Sequence, residues 1–226
     1  LLSVVEDNVD LDFNSIFRYC LTDTAPEVRE RAIAGLWECD ERNILGPLLS
    51  LLQEDPNEQV RASAAAALGK FSLLAETGKL LPRDADRIRE ALLEAVENAA
   101  ETTDVRRRAL EAVACFSTVR VPELVRWAYQ SQEPKLRLSA LYAMGRTCDP
   151  VWLSILISET ENGDPAMRFE AASAFAEIGD EESIHYLIPL IEDEDTQVQL
   201  SAIRSIGAIG GPLAEMFGNL NHGSDL

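Results

Sequence analysis

Apolar positions recur along this chain at helical spacing, and in six places they do so around the same polar residue. The segments "EVRERAIAGLWE", "QVRASAAAALGK", "DVRRRALEAVAC", "KLRLSALYAMGR", "AMRFEAASAFAE" and "QVQLSAIRSIGA" align on Arg29, Arg61, Arg106, Arg137, Arg168 and Gln199. One residue before each anchor is apolar (Val28, Val60, Val105, Leu136, Met167, Val198), and three after it is alanine (Ala32, Ala64, Ala109, Ala140, Ala171, Ala202). Seven after it the chain is apolar again (Leu36, Leu68, Val113, Met144, Phe175, Ile206). These offsets fall on one face of an α-helix, so each segment predicts an amphipathic helix with that face turned to a core. The alanine column has a steric cause: a methyl group lets two crossing helices bring their backbones together, and a larger side chain holds them apart.

Helix starts are written ahead of the anchors. "DPNEQVR", "EPKLR" and "DPAMR" put an acidic residue and a proline where an N-cap and first helical position belong, and "DTQVQ" keeps the aspartate alone. Between the anchor helices lie second amphipathic segments, such as "NILGPLLSLLQED" and "ESIHYLIPLIEDED", which predict helices of about three turns bent by Pro47 and Pro189. The anchors are 32, 45, 31, 31 and 31 residues apart, a period near 31 with one insertion after the second unit. One helical hairpin cannot bury its own apolar face, so the period predicts stacking. The expected fold is all-α: a single α-α superhelix, or solenoid, of about six hairpins over 1–226. The repeats fall near 9–40, 41–73, 84–118, 119–148, 149–179 and 180–210, with a partial last helix over 211–220.

The period, the paired helices and the signature D-P-x-x-V-R-x-x-A-x-x-A-L-G resemble HEAT repeats, particularly the short HEAT-like class first associated with phycobilin lyases. The resemblance runs from about Asp12 to Asn221 and departs from the pattern at 72–86 and at Gln199. It implies a scaffold, an adaptor, a lyase or an enzyme subunit, because such solenoids serve as all of these.

Charge narrows the choice. The net charge is −19, and from Glu159 to Asp195 twelve acidic residues face one basic residue, Arg168. That field repels phosphate backbones, so no nucleic-acid and no membrane partner is expected; it suits either a solvated surface or a partner with a basic surface. At 46 % hydrophobic and 26 % charged residues the composition is that of a globular chain, with no apolar run long enough to cross a bilayer. Cys20, Cys39, Cys115 and Cys148 show no metal or redox spacing, which predicts buried free thiols and a cytoplasmic location. His185 and His222 are far apart, and no nucleophile elbow, zinc motif, P-loop or dinucleotide fingerprint occurs. No catalytic residue, cofactor or metal site is therefore expected.

The register of the repeat also marks a candidate surface. Offsets +1, +5 and +9 form a second stripe, which the family resemblance places toward the concave side. In the second half of the chain this stripe holds Leu138, Tyr142, Arg146, Phe169, Leu200 and Arg204. Apolar and aromatic groups flanked by arginine suit a protein interface; partial cover by a neighbouring helix would instead make them core. The anchors Arg29, Arg61, Arg106, Arg137 and Arg168 are expected to form a structural ladder, each guanidinium tying acidic or carbonyl groups at the turns of adjacent repeats. Trp37, Trp127 and Trp152 share no stripe and are expected in the core. The insertion "SLLAETGKLLPRDADR" predicts either an extended helix with a turn or a protruding loop. The leading expectation is a non-enzymatic scaffold or adaptor that binds another protein. A lyase-like chromophore-attachment or maturation subunit, and a regulatory domain of a larger protein, stand beside it.

Overall fold

The computed structural model describes residues 13–210, so the helix expected over 211–220 lies outside the described residues. Among the described residues the chain forms twelve α-helices and no strand: α1 (Asn14–Cys20), α2 (Pro26–Gly35), α3 (Leu45–Glu54), α4 (Glu58–Glu76), α5 (Pro82–Glu97), α6 (Thr103–Val113), α7 (Arg120–Tyr129), α8 (Pro134–Arg146), α9 (Leu153–Glu159), α10 (Pro165–Ile178), α11 (Ile184–Leu187) and α12 (Thr196–Ile209). The even-numbered helices carry the anchors, and the odd-numbered ones are their hairpin partners. The protein is all-α, of the α-solenoid class.

Local chemistry sets the helix ends. Asp164 caps α10 by accepting from Ala166 N–H, ahead of Pro165 at the first helical position, and Asp195 caps α12 by accepting from Gln197 and Val198 N–H. In "DPNEQVR" the cap is Asn57, which accepts from Gln59 and Val60 N–H, and not Asp55. Asp55 ends α3 and commits its carboxylate elsewhere. The segment expected as a three-turn helix around Pro189 is broken: α11 is four residues long, and a 3-10 turn follows over Pro189–Glu192. Proline has no N–H to continue the α ladder, and no long helix forms across it. The insertion resolves as helix: α4 extends to Glu76, and the connection to α5 turns at Gly78, whose φ of 70° is left-handed.

The chain divides into two compact units, one up to Leu124 and one from Val125 on. In the first, α2, α4 and α6 lie side by side, with α1, α3 and α5 packed against them. In the second, α8, α10 and α12 lie side by side, with α9 and α11 as partners. Each is a stack of hairpins whose core is the repeated face: the alanine column is at most 1 % exposed and the +7 column at most 4 %. Val28, in the first repeat, is the exception in the −1 column at 37 % exposed.

Helix backbones approach closely where α8 meets α10. A Cβ on Gly145 would lie 2.8 Å from Ala174 Cα, a backbone atom that cannot swing away. Gly145→Ala is therefore expected to lower stability by about 1–3 kcal/mol, the usual range for overpacking. An unobstructed helical site would gain about 0.5–1 kcal/mol from the same change, so urea unfolding reads the sign directly: a stabilised variant would refute the close contact.

Candidate functional site

The anchor side chains organise the turns. Arg168 gives Nε and Nη2 to the two carboxylate oxygens of Asp193 at 2.7 and 2.8 Å, and Nη1 to the Asn162 carbonyl at 2.8 Å. Arg29 clamps Asp55 at 2.7 Å through both nitrogens and donates to the Asp23 carbonyl at 2.8 Å. Arg61 clamps Glu101 at 2.8 and 2.7 Å and donates to the Asp55 carbonyl at 2.7 Å. In all three, the carbonyl lies six residues before the arginine, and the carboxylate lies five or six residues before the next anchor. Gln199, which has no fork, keeps the carbonyl half by donating Nε2 to Asp193 O at 2.7 Å.

Electrostatics follow from this geometry. The Arg168 guanidinium holds the Asp193 carboxyl below its ordinary range despite burial. Burial pushes Asp55 and Glu101 upward, but bonds from Arg29 and Arg61 and from backbone N–H groups outweigh it, so both end low. The three arginines are raised, led by the same hydrogen bonds.

Arg106 and Arg137 depart from the expected uniform ladder. Arg106 donates to the Val96 carbonyl at 2.9 Å, ten residues back, and burial lowers its pKa. Arg137 stands 3.8 Å from Glu159 with its guanidinium over the Tyr129 ring at 5.8 Å. The buried Glu159 carboxylate accepts from the Tyr129 hydroxyl and from Asn162 Nδ2, both at 2.5 Å. Burial, then this bond to Glu159, pushes Tyr129 up to about 12. All of these groups are engaged in hydrogen bonds or ion pairs within the fold.

The surface candidates lie on α8, α10 and α12. Leu138 and Phe169 are half-buried, Leu200 is 38 % exposed, and Tyr142 beside them is 42 % exposed. Arg146 reaches Glu177 on α10 at 2.9 Å, while Arg204 is exposed on α12. Ser173 and Ser201 share a hydrogen bond of 2.8 Å, and Ser201 donates to the Phe169 carbonyl at 3.2 Å, fixing α10 against α12 beneath the stripe. Sequence reasoning missed Ile203, 52 % exposed on α12, because its column is buried in the other five repeats (Ile33, Ala65, Leu110, Leu141, Ala172).

Two further expectations are corrected. Trp152 is buried, donating to Thr147 Oγ1 at 2.9 Å under the Arg126 guanidinium, but Trp37 and Trp127 are 58 and 37 % exposed. The four cysteines are free, yet of these Cys39 alone is buried. Among the described residues no three His, Cys, Asp or Glu side chains gather as a metal site, and no helix is long and apolar enough to cross a membrane.

Comparison with known proteins agrees with this architecture. The family model for HEAT repeats matches residues 15–98 and 151–222. An uncharacterized phycocyanin operon protein of Pseudanabaena tenuis is 23 % identical over 192 residues, which cover 81 % of this chain and 89 % of the relative. Among solved structures, the Escherichia coli protein YibA superposes with a TM-score of 0.59 at 17 % identity, over 91 % of this chain and 73 % of that one. Kap121p, solved bound to Pho4p, superposes with a TM-score of 0.53 at 15 % identity, over 84 % of this chain and 22 % of that one.

Proposed function

The chain belongs to the HEAT-repeat family, and on that premise we propose that it is a non-enzymatic scaffold or adaptor that holds another protein against α8, α10 and α12. The observation that carries this reading is the column Leu138, Phe169 and Leu200, set at one offset on three adjacent helices and left partly open to solvent beside Tyr142, Arg146 and Arg204. Apolar and aromatic side chains that a helix would ordinarily bury gain most when a partner removes them from water, and arginine at their edge supplies directional bonds. The partner's surface is basic, because from Val125 on there are 16 acidic residues against 6 basic ones. The same charge argues against nucleic acid as the ligand. Four unbridged cysteines suit a cytoplasmic setting. Kap121p, of similar fold, was solved holding another protein. Capture of a partner by the intact chain, and its loss when the stripe is substituted, tests the proposal.

A second reading, a lyase-like chromophore-attachment or maturation subunit, draws on the similarity to a phycocyanin operon protein. On this reading, incubating the chain with a bilin and an apoprotein yields a covalent adduct whose absorbance stays with the apoprotein after denaturation. If the bilin washes out, or attaches equally without the chain, the lyase reading fails and the scaffold stands.

A further inference from the structure

A positive patch stands out on the first unit of this acidic protein. At the start of α5, the buried Asp84 carboxylate accepts from Arg42 Nε at 3.0 Å and lies 3.8 Å from Arg83 Nε. Arg87 follows Arg83 by one helical turn and is exposed. Arg42 and Arg83 thus flank the Asp84 carboxylate, and Arg87 acts on it electrostatically, an excess of two positive charges. The outer ends are accessible: the Arg83 side chain is 79 % exposed and that of Arg42 is 50 % exposed. Neighbouring acids reduce this excess without removing it. Glu41 is held by Arg18 at 2.6 Å, while Asp86, Glu90 and Glu97 share Arg89 (2.7 Å to Asp86, 3.3 Å to Glu90) and Arg120 (3.1 Å to Glu90, 2.6 Å to Glu97), one negative charge against the two positive. Leu81, at the edge of the cluster, is 50 % exposed, and Lys79 two residues earlier is also exposed.

We propose that this end of the first unit, built of Arg42, Arg83, Arg87 and Leu81, is a second docking surface that takes an acidic segment of a partner protein. Charge complementarity selects the occupant: carboxylates match the open guanidinium forks, and an apolar side chain between them covers Leu81. An extended polyanion or an anionic membrane does not fit as well, because it would bring its charge against the rest of a chain of net −19. A short segment avoids this, since at about 0.1 M salt charges more than about 10 Å away are screened. This surface is independent of the stripe on α8, α10 and α12, and of opposite sign to the basic partner assigned there.

The test uses the full chain and a labelled peptide of glutamates around a central leucine, followed by fluorescence anisotropy. Saturable binding is expected, weakened about ten-fold or more by the double reversal Arg83→Glu with Arg87→Glu, the size expected for losing directly opposed charges. Arg42 is left in place because it holds Asp84. The control reversal Arg108→Glu, on α6 with its side chain 43 % exposed, leaves binding unchanged, and circular dichroism melting verifies that all variants are folded. The proposal is overturned if the peptide does not bind, if the double reversal has no more effect than the control, or if anionic vesicles bind where the peptide does not.

Discussion

Arg168→Ala is expected to lower the unfolding free energy by about 3–5 kcal/mol, the cost of breaking a buried ion pair by removing one partner. The side chains of Arg168 and Asp193 are only 9 and 7 % exposed, so water cannot replace the lost bonds. Both bonds of the bidentate pair and the Asn162 carbonyl bond disappear together, and the Asp193 carboxylate is left with the bond it accepts from Asp195 N–H. Arg106→Ala provides the internal contrast: its bond to the Val96 carbonyl joins a charged donor to a neutral acceptor, worth about 1.5–3 kcal/mol, below the cost of breaking the clamp. Urea unfolding of the two variants gives the comparison, and equal losses would refute the clamp. Acid adds a second readout. Because Asp193 titrates below its ordinary range in the fold, its contribution is fully present above the unfolded value of about 4 and disappears as pH falls through the lower folded value. The stability gap between the native chain and Asp193→Asn should therefore be wide at neutral pH and close below about pH 4.

How far this architecture can be read from the sequence depends on what sets each feature. The columns at −1, +3 and +7 are legible because helical geometry and the size of alanine fix them locally. The clamps are legible in a subtler way. Asp55, Glu101 and Asp193 stand five or six places before the next anchor, where the chain enters the turn. Ser131 and Asn162 stand at the sixth place before Arg137 and Arg168, and neither carries a charge. Arg106 and Arg137 accordingly find other acceptors, the Val96 carbonyl and the Tyr129–Glu159 pair. The exposure of Trp37 also left a trace: the column at +8 is otherwise Gly69, Ala114, Gly145, Ala176 and Gly207. Gly145 leaves no room for a Cβ, and Trp37 lies past the end of α2, where it is 58 % exposed. Exposure at Ile203 left no such trace, because it depends on what packs beside α12 and not on the helix itself. The surface stripe falls between these cases: its offset is legible, and its degree of exposure is set by the neighbouring helices.

That half-exposed state makes the stripe testable in binding and stability at once. Substituting Leu138, Phe169 and Leu200 together with serine is expected to abolish capture of the partner: interface hot spots cost about 2 kcal/mol or more each, and three sum to a loss beyond about a thousand-fold even allowing for non-additivity. A purely structural role for the same residues predicts a different pattern, with stability falling by the about 2–5 kcal/mol typical of truncated core side chains. Leu200→Glu separates the two more sharply, because a residue 38 % exposed can turn a carboxylate to water without unfolding α12. On the interface reading this variant melts near the native temperature yet loses the partner, since an acidic group and its uncompensated desolvation enter an apolar contact. Arg204→Glu, at an exposed position, should weaken binding at low salt and less so at high salt if its guanidinium meets an acidic group set within the partner's basic surface; a basic group opposite it would make the same reversal strengthen binding. A folded triple variant that still retains its partner would move the binding face elsewhere on the solenoid. Loss of stability in Leu200→Glu, with binding falling in proportion, would instead return Leu138, Phe169 and Leu200 to the core.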